Sequence, residues 1–136
     1  MESRKVKYLI DTHIWVWWNA KPKSISPKIM DVLNKEKSGE FLLSAISVWE
    51  LAKLVEKGRL RLSMDVGHWV DHALQLPGLR LVPIEPQIAV ASTQLPQPFH
   101  DDPTDQIIVA TARSENATIL TSDKFITNYP HVRSVG

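Results

Sequence analysis

Carboxylate side chains recur at four points where an apolar stretch gives way to a turn or to the start of a helix. Asp11 directly follows an apolar stretch near the amino terminus, and Asp123 follows another near the carboxyl terminus. Glu50 and Asp105 each lie near the start of a segment with helical spacing of apolar residues. Carboxylates are rarely buried without a partner, so packing alone explains acids at strand ends poorly. The four together indicate a shared site.

Acids that share a site need a compensating charge, because neighbouring like charges raise one another's pKa and burial adds to the effect. A divalent cation supplies that charge. The sequence contains no cysteine, so oxygen and imidazole are the available ligands, and a set of carboxylates favours Mg²⁺ or Mn²⁺. Such ions stabilise an in-line displacement at phosphorus and activate a water molecule. The pattern therefore predicts metal-dependent hydrolysis of a phosphodiester.

Strands and helices alternate in the predicted order of elements. Apolar runs predict strands over residues 5–10, 41–43, 79–82 and 118–121, with a final edge strand over 132–135. Helical spacing and capping residues predict helices over 12–18, 27–37, 65–75, 86–92 and 103–115. A further helix is predicted to run through Glu50 and to stop at Gly58. This alternation is typical of an α/β protein, a three-layer α/β/α sandwich with a mostly parallel central sheet. Sites in such folds form at the carboxyl ends of the strands, where all four acids are expected to converge.

Length and composition set the remaining limits. A chain of 136 residues with 43% hydrophobic and 23% charged residues is typical of one globular domain, which we expect to span residues 1–136. The formal net charge of +1 gives no overall attraction to nucleic acid, so such a partner must be argued from local features. The apolar runs are far shorter than the roughly 20 residues of a membrane span. The polar residues that follow Met1 do not resemble a secretory signal, so a cytoplasmic location is expected.

Four segments of the sequence resemble PIN domains and, more narrowly, the VapC toxins of bacterial and archaeal toxin–antitoxin pairs. They are LIDTHIWVWW at 9–18, LSAISVWELAKLVEKGRL at 43–60, LPQPFHDDPTDQIIVATA at 95–112 and ILTSDKF at 119–125. The resemblance implies an endoribonuclease that needs Mg²⁺ or Mn²⁺, with a catalytic and metal-binding quartet at Asp11, Glu50, Asp105 and Asp123, to which Asp102 is a possible addition. It also implies a homodimer and a cognate antitoxin whose tail enters the acidic site.

One segment departs from the pattern of these toxins. Many of them carry an aromatic residue and an arginine around the second aspartate of the DPxD segment, where this chain has Thr104 and Gln106. One basic contact to a phosphate or to a partner is therefore expected to be missing. Asp102 and Asp105 are three residues apart at a helix start, so both can face the same side, and the spacing of Asp105 to the apolar residues after it favours Asp105 as the closer ligand.

The acids also have simpler explanations as helix-cap or first-turn residues or, for Asp123, as the start of a turn with Ser122, although Asp11 is harder to explain in this way. Glu50 follows Ser47 at the spacing of a capping box. Asp102 could be an ordinary N-cap, with Asp105 in the first turn, where acids are favoured. Taken singly, these explanations are the better ones. Convergence of the four acids is what favours a site.

Other residues near the acids leave alternatives open. A basic group follows Glu50 and either neutralises RNA phosphates or forms a solvated face: Lys53, Lys57, Arg59 and Arg61. Trp15, Trp17 and Trp18 favour packing or a subunit interface over base stacking. His13 and His100 are expected to lie at the surface or to form hydrogen bonds, because the carboxylates already suit a hard ion.

Two other functions remain as rivals to the nuclease. An aspartyl-phosphate phosphatase would use a strand-end aspartate such as Asp11, but a second aspartate is expected two residues later, where this chain has His13. A catalytically silent PIN-like module that binds RNA or an antitoxin is the other. Retention of all four acids argues against a silent module.

Overall fold

The computed structural model describes residues 6–35 and 40–136, and within these ranges a five-stranded sheet forms the centre of the molecule. Its strands are β1 (Lys7–Ile10), β2 (Glu40–Ser44), β3 (Leu79–Val82), β4 (Thr118–Leu120) and β5 (Ser134–Val135). Every described pair of neighbours is parallel, in the order β3-β2-β1-β4-β5. The predicted α/β class and parallel sheet are confirmed.

Seven helices connect these strands in the described part of the chain. They are α1 (Thr12–Ala20), α2 (Pro27–Lys35), α3 (Ala45–Glu56), α4 (Val66–Ala73), α5 (Pro86–Ser92), α6 (Pro103–Glu115) and α7 (Lys124–Thr127). The sequence predicted the first six, but neither α7 nor a short 3-10 turn at Pro22–Ser24. The predicted ends of β1 at residue 5 and of α2 at residue 37 lie outside the described residues. Within those residues, no helix is long and apolar enough to cross a membrane.

Alternation along the strands divides the core between the two faces of the sheet. Leu9 and Ile119 point into a cluster that includes residues of α5 and α6. Ile10 and Leu120, one position further along, point into a second cluster built with α1 to α4. Apolar residues on both faces are what a parallel strand needs when helices cover it from both sides. The expected three layers follow from this arrangement.

The strand order reverses beside β1. The chain adds β2 and β3 on one side of β1 and then returns to add β4 and β5 on the other. In open α/β sheets, such a switch point opens a crevice at the carboxyl ends of the two strands. Here the backbone N–H of Asp11, just after β1, donates to the carbonyl of Leu120 in β4 at 3.0 Å.

Packing accounts for the most buried of the three neighbouring tryptophans. Trp15 is fully buried, its indole N–H donates to the carbonyl of Ala73 at 3.3 Å, and the ring of Trp69 meets it edge-on at 5.3 Å. Trp17 and Trp18 are partly buried and pack against the same cluster. Trp15 therefore holds α1 against α4 within one protomer.

We expect Trp15→Phe to lower the free energy of unfolding by about 1–3 kcal/mol, because it leaves a cavity and removes the donor to Ala73. Trp49 is 52% exposed and provides the matched control. Trp49→Phe should change the free energy by less than about 0.5 kcal/mol. Urea denaturation of both variants measures the difference, and equal effects would contradict the packing described here.

Candidate active site

Three of the acids cap helices that begin at the same edge of the sheet. Asp11 accepts a hydrogen bond from the backbone N–H of Thr12 at 2.8 Å at the start of α1. Asp102 accepts one from Thr104 at 2.9 Å in α6, and Asp123 accepts one from Phe125 at 2.9 Å in α7. The capping interpretation of Asp102 is therefore correct. It does not compete with a role in a site, because capping brings these carboxylates to the switch point.

A single cavity of about 340 Å³ at this edge is lined by five carboxylates, those of Asp11, Glu50, Asp102, Asp105 and Asp123. All four acids of the predicted quartet, together with the possible fifth, thus line one cavity. The rest of the lining includes residues of α1 and Arg59 from the segment after α3. Acids more than a hundred positions apart in sequence are brought together by the β1–β4 pairing.

Asp11 is the most firmly fixed of the five. Its side chain is 5% exposed, and the hydroxyl of Thr121 donates to its Oδ2 at 2.6 Å. The same threonine oxygen accepts the backbone N–H of Asp123 at 3.0 Å. His13 approaches Asp11 at 3.5 Å and hydrogen-bonds the hydroxyl of Ser122 at 2.8 Å. The hydrogen-bonding role expected for this histidine is confirmed.

Glu50 is positioned by α3, whose N-cap is Ser44 and not Ser47. The proposed capping box of Ser47 and Glu50 is therefore wrong, since the helix begins earlier and Ser47 lies inside it. Ser47 is instead buried and shares a hydrogen bond of 2.8 Å with the hydroxyl of Thr12. Burial raises the pKa of Glu50, a hydrogen bond from Thr12 opposes the rise, and the charge of Asp11 adds to it.

Asp105 has the largest shift among the acids. Burial, followed by the charges of the other four carboxylates, raises its pKa from 3.8 to about 7. The Nε2 atom of His100 lies 3.1 Å from its Oδ2. The repulsion expected from crowded acids is therefore present at this residue.

Thr104 and Gln106 have local structural roles. Thr104 is buried at the start of α6. Gln106 donates through Nε2 to the carbonyl of His100 at 2.9 Å. The His100 ring also packs on Phe125 at 4.2 Å between centroids. Gln106 thus anchors the histidine that contacts Asp105.

The basic residues after Glu50 divide into paired and unpaired members. Lys53 forms an ion pair with Glu56 at 2.8 Å, so its charge is already neutralised on the helix surface. Lys57 is exposed at the carboxyl end of α3. Arg59 lines the acidic cavity. The best candidates for contacts with RNA phosphates are therefore the arginines of the segment after α3, Arg59 and Arg61.

The donor atoms fit a hard divalent cation in type, because all five acids offer carboxylate oxygens. As the side chains lie, however, no three acidic or histidine groups in the described ranges are close enough to hold one ion. The carboxylates line a common cavity without meeting at one point.

Sequence reasoning missed two threonines that hold this site together. Thr12 and Thr121 are buried polar residues, each within two residues of the end of a strand and of a predicted acid. A hydroxyl at such a position must find a hydrogen-bond partner inside the protein. A threonine beside the end of an apolar strand is therefore the sequence feature that could have identified them.

A profile of the PIN domain family matches residues 8–131. The chain belongs to the PIN domain family. Its acidic cavity lies at the switch point, where the strand order of the sheet reverses beside β1.

Among individual proteins, the chain is 33% identical to "Ribonuclease VapC22" of Mycobacterium tuberculosis over 127 residues, which cover 93% of this chain and 95% of that protein. The structure of VapBC2 from Rickettsia felis bound to a promoter DNA fragment is similar in fold, with a TM-score of 0.70, 18% identity, and coverage of 96% of this chain and 98% of that one. A toxin–antitoxin complex from Klebsiella pneumoniae is also similar, with a TM-score of 0.66, 19% identity, and coverage of 95% and 96%.

The raised pKa of Asp105 has a consequence for folding. Because the folded value of about 7 exceeds the usual 3.8, the metal-free fold loses stability as the pH rises through this interval. We expect Asp105→Asn to be more stable than the metal-free wild type at pH 8 by about 2–4 kcal/mol, and nearly equal to it at pH 4.

Thermal melting in EDTA at both pH values measures this difference. Asp71, an exposed carboxylate on α4 outside the cavity, provides the control. Asp71→Asn should show no such dependence on pH. A lower melting temperature for Asp105→Asn than for wild type at pH 8 would show that this carboxylate supports the fold.

Proposed function

We propose that this chain is a divalent-metal-dependent endoribonuclease and the toxin of a toxin–antitoxin pair. The observation that carries the proposal is the cavity at the β1–β4 switch point, lined by five carboxylates. It occurs in a chain that is 33% identical, over almost its whole length, to a protein named a ribonuclease. The proposed catalytic and metal-binding residues are Asp11, Glu50, Asp105 and Asp123, with Asp102 as a further metal ligand.

Mg²⁺ or Mn²⁺ bound among these oxygens would supply Lewis acidity and an activated water. The residues of the chain supply the geometry and the proton transfer. Thr121 and the first turn of α1 hold Asp11 in one orientation, so that its oxygens are fixed in place before binding. Arg59 lines the same cavity and can attract the phosphate. A cavity carboxylate such as Glu50 can accept the proton of the attacking water, so no covalent nucleophile is needed.

The proposed partners are an RNA substrate and a cognate antitoxin, with the chain acting in the cytoplasm. The toxin–antitoxin complex from Klebsiella pneumoniae supports the antitoxin, since its fold resembles that of this chain. A homodimer remains a proposal that rests on the family resemblance. Trp15, one of the residues that suggested it, is buried within the protomer and cannot contribute to an interface.

Cleavage of RNA tests the proposed residues. We expect the wild type to cleave single-stranded RNA with Mn²⁺ and not with EDTA, and Asp11→Asn and Asp102→Asn to lose activity at least about tenfold. Asparagine caps a helix as well as aspartate does, so both substitutions remove the charge and keep the cap. Asp102→Asn keeps both of its hydrogen bonds, which go to one oxygen, whereas Asp11→Asn also replaces the oxygen that accepts from Thr121.

The adjacent residue Asp101 is exposed and does not line the cavity, so Asp101→Asn is the matched control and should cleave like wild type. Denaturing gels of a labelled RNA measure cleavage by all four proteins, the wild type and the three asparagine variants. No cleavage by any of them with Mn²⁺ would instead support a silent module that only binds RNA or an antitoxin.

Metal binding is tested separately from catalysis. At one hundred times the dissociation constant, a bound ion stabilises the folded state by about 2.7 kcal/mol. For a domain of this size that corresponds to a rise of roughly 5–15 °C in melting temperature. We expect Mn²⁺ to raise the melting temperature of the wild type and of Asp101→Asn by this amount, and that of Asp11→Asn by much less. Equal shifts in all three would mean that the ion binds elsewhere.

A further inference from the structure

A second and larger cavity of about 760 Å³ adjoins the acidic one. It lies between α1, the segment after α3 and α4, and it shares Val16, Trp17, Arg59 and Leu60 with the acidic cavity. The two cavities therefore adjoin along these four residues. We call the larger one the basic groove.

The basic groove has a positive lining. Lys21, Arg59, Arg61 and His72 contribute to it, whereas none of its lining residues is an aspartate or a glutamate. Arg59 and Arg61 are exposed and have no ion-pair partner among the described residues. Arg80, in contrast, bonds Glu40 at 2.6 Å and Glu115 at 3.1 Å. The two arginines of the groove thus leave their donors available for an anion.

An aromatic side chain lies where the two cavities meet. Trp17 lines both of them, is only partly buried, and meets the ring of His13 edge-on at 5.1 Å. Unpaired bases stack on aromatic side chains in complexes with single-stranded nucleic acid, where cationic side chains track the backbone. A duplex keeps its bases stacked on one another and gains nothing from Trp17.

We propose that the basic groove binds the stretch of single-stranded RNA next to the scissile phosphate, with Arg59 and Arg61 on its phosphates and Trp17 against a base. This proposal rests on the proposed ribonuclease function. A strand with one phosphate at the acidic cavity can place the next nucleotides in the groove, because the two cavities share lining residues, among them Arg59 and Trp17. An acidic peptide would meet the same arginines, but it carries no base that can stack on Trp17. The aromatic side chain shared by the two cavities therefore favours RNA.

Equilibrium binding in EDTA tests the proposal without cleavage. The probe is a fluorescein-labelled single-stranded RNA of eight nucleotides, followed by fluorescence anisotropy at several salt concentrations. For Arg59→Gln/Arg61→Gln we expect the Kd to rise about tenfold and the slope of log K against log salt to fall by about 1.4, since each lost phosphate contact removes about 0.7.

The matched control is Lys23→Gln/Lys28→Gln, which makes the same change in net charge at exposed residues outside both cavities. Its Kd should stay within about twofold of the wild type. Arg59→Lys/Arg61→Lys keeps the charge and should keep the wild-type salt slope. Two results would overturn the proposal. One is an equal rise in Kd for Arg59→Gln/Arg61→Gln and Lys23→Gln/Lys28→Gln, and the other is a reduced salt slope for Arg59→Lys/Arg61→Lys.

Two competitors test the chemistry of the ligand. A duplex RNA of the same sequence should compete at least about tenfold more weakly than the single strand, because it offers no unstacked base to Trp17. Polyglutamate of equal charge should also compete poorly. Displacement by polyglutamate as effective as by RNA would assign the groove to an acidic peptide, and equal competition by the duplex would exclude recognition of single strands.

The cleavage assay separates this proposal from the proposed function. Suppose that the wild type cleaves RNA and that Arg59→Gln/Arg61→Gln binds and cleaves RNA like the control Lys23→Gln/Lys28→Gln. The groove proposal then fails and the ribonuclease proposal stands. If the wild type cleaves nothing but binds RNA through these arginines, the ribonuclease fails and the groove stands.

Discussion

Mutual repulsion of carboxylates at one edge of the sheet is the constraint on which the rest of this structure depends. Five of them line a single cavity, where burial and, after it, the charges of the other four raise the pKa of Asp105. What the fold offers against the repulsion is local: the amino-terminal N–H groups of three helices and the hydroxyl of Thr121. Helix amino termini carry partial positive charge, so they favour the ionised form of the acids they bind. The parallel order of strands brings these helix starts together.

The same side chains therefore serve the backbone and the site. Asp11, Asp102 and Asp123 satisfy backbone donors that would otherwise remain unpaired at the start of a helix. The core on either side of the sheet supplies the stability that offsets the crowding, since the strands next to the site are apolar on both faces. Function and folding conflict where an acid lacks the compensation that capping gives: neither Asp105 nor Glu50 is the N-cap of a helix, and burial and neighbouring charges raise the pKa of both.

Much of this was predictable because the relevant patterns are local. Apolar runs and capping residues located the six longer helices, and the rule for strand ends brought the acids to one edge. Short elements were not predictable: α7 has four residues, too few for helical periodicity to be visible. The start of α3 was misplaced because Ser44 and Ser47 are both good caps, and only the end of β2 decides between them. The basic groove depends on packing between segments, which no spacing in the sequence reports. The ion pair of Lys53 with Glu56, in contrast, joins residues three apart on one helix, and its spacing was there to be seen.

The use of capping acids as site residues also affects how easily the activity can be lost. Asparagine replaces aspartate at a helix start with little cost, so the proposed nuclease can be silenced at several positions by replacements that leave the fold intact. A cell burdened by the active chain would have many routes to an inert protein that still folds and still occupies its partner. Selection for loss of toxicity would then leave full-length, well-folded copies that retain the RNA-binding and partner-binding surfaces and lack only the charge at one helix start.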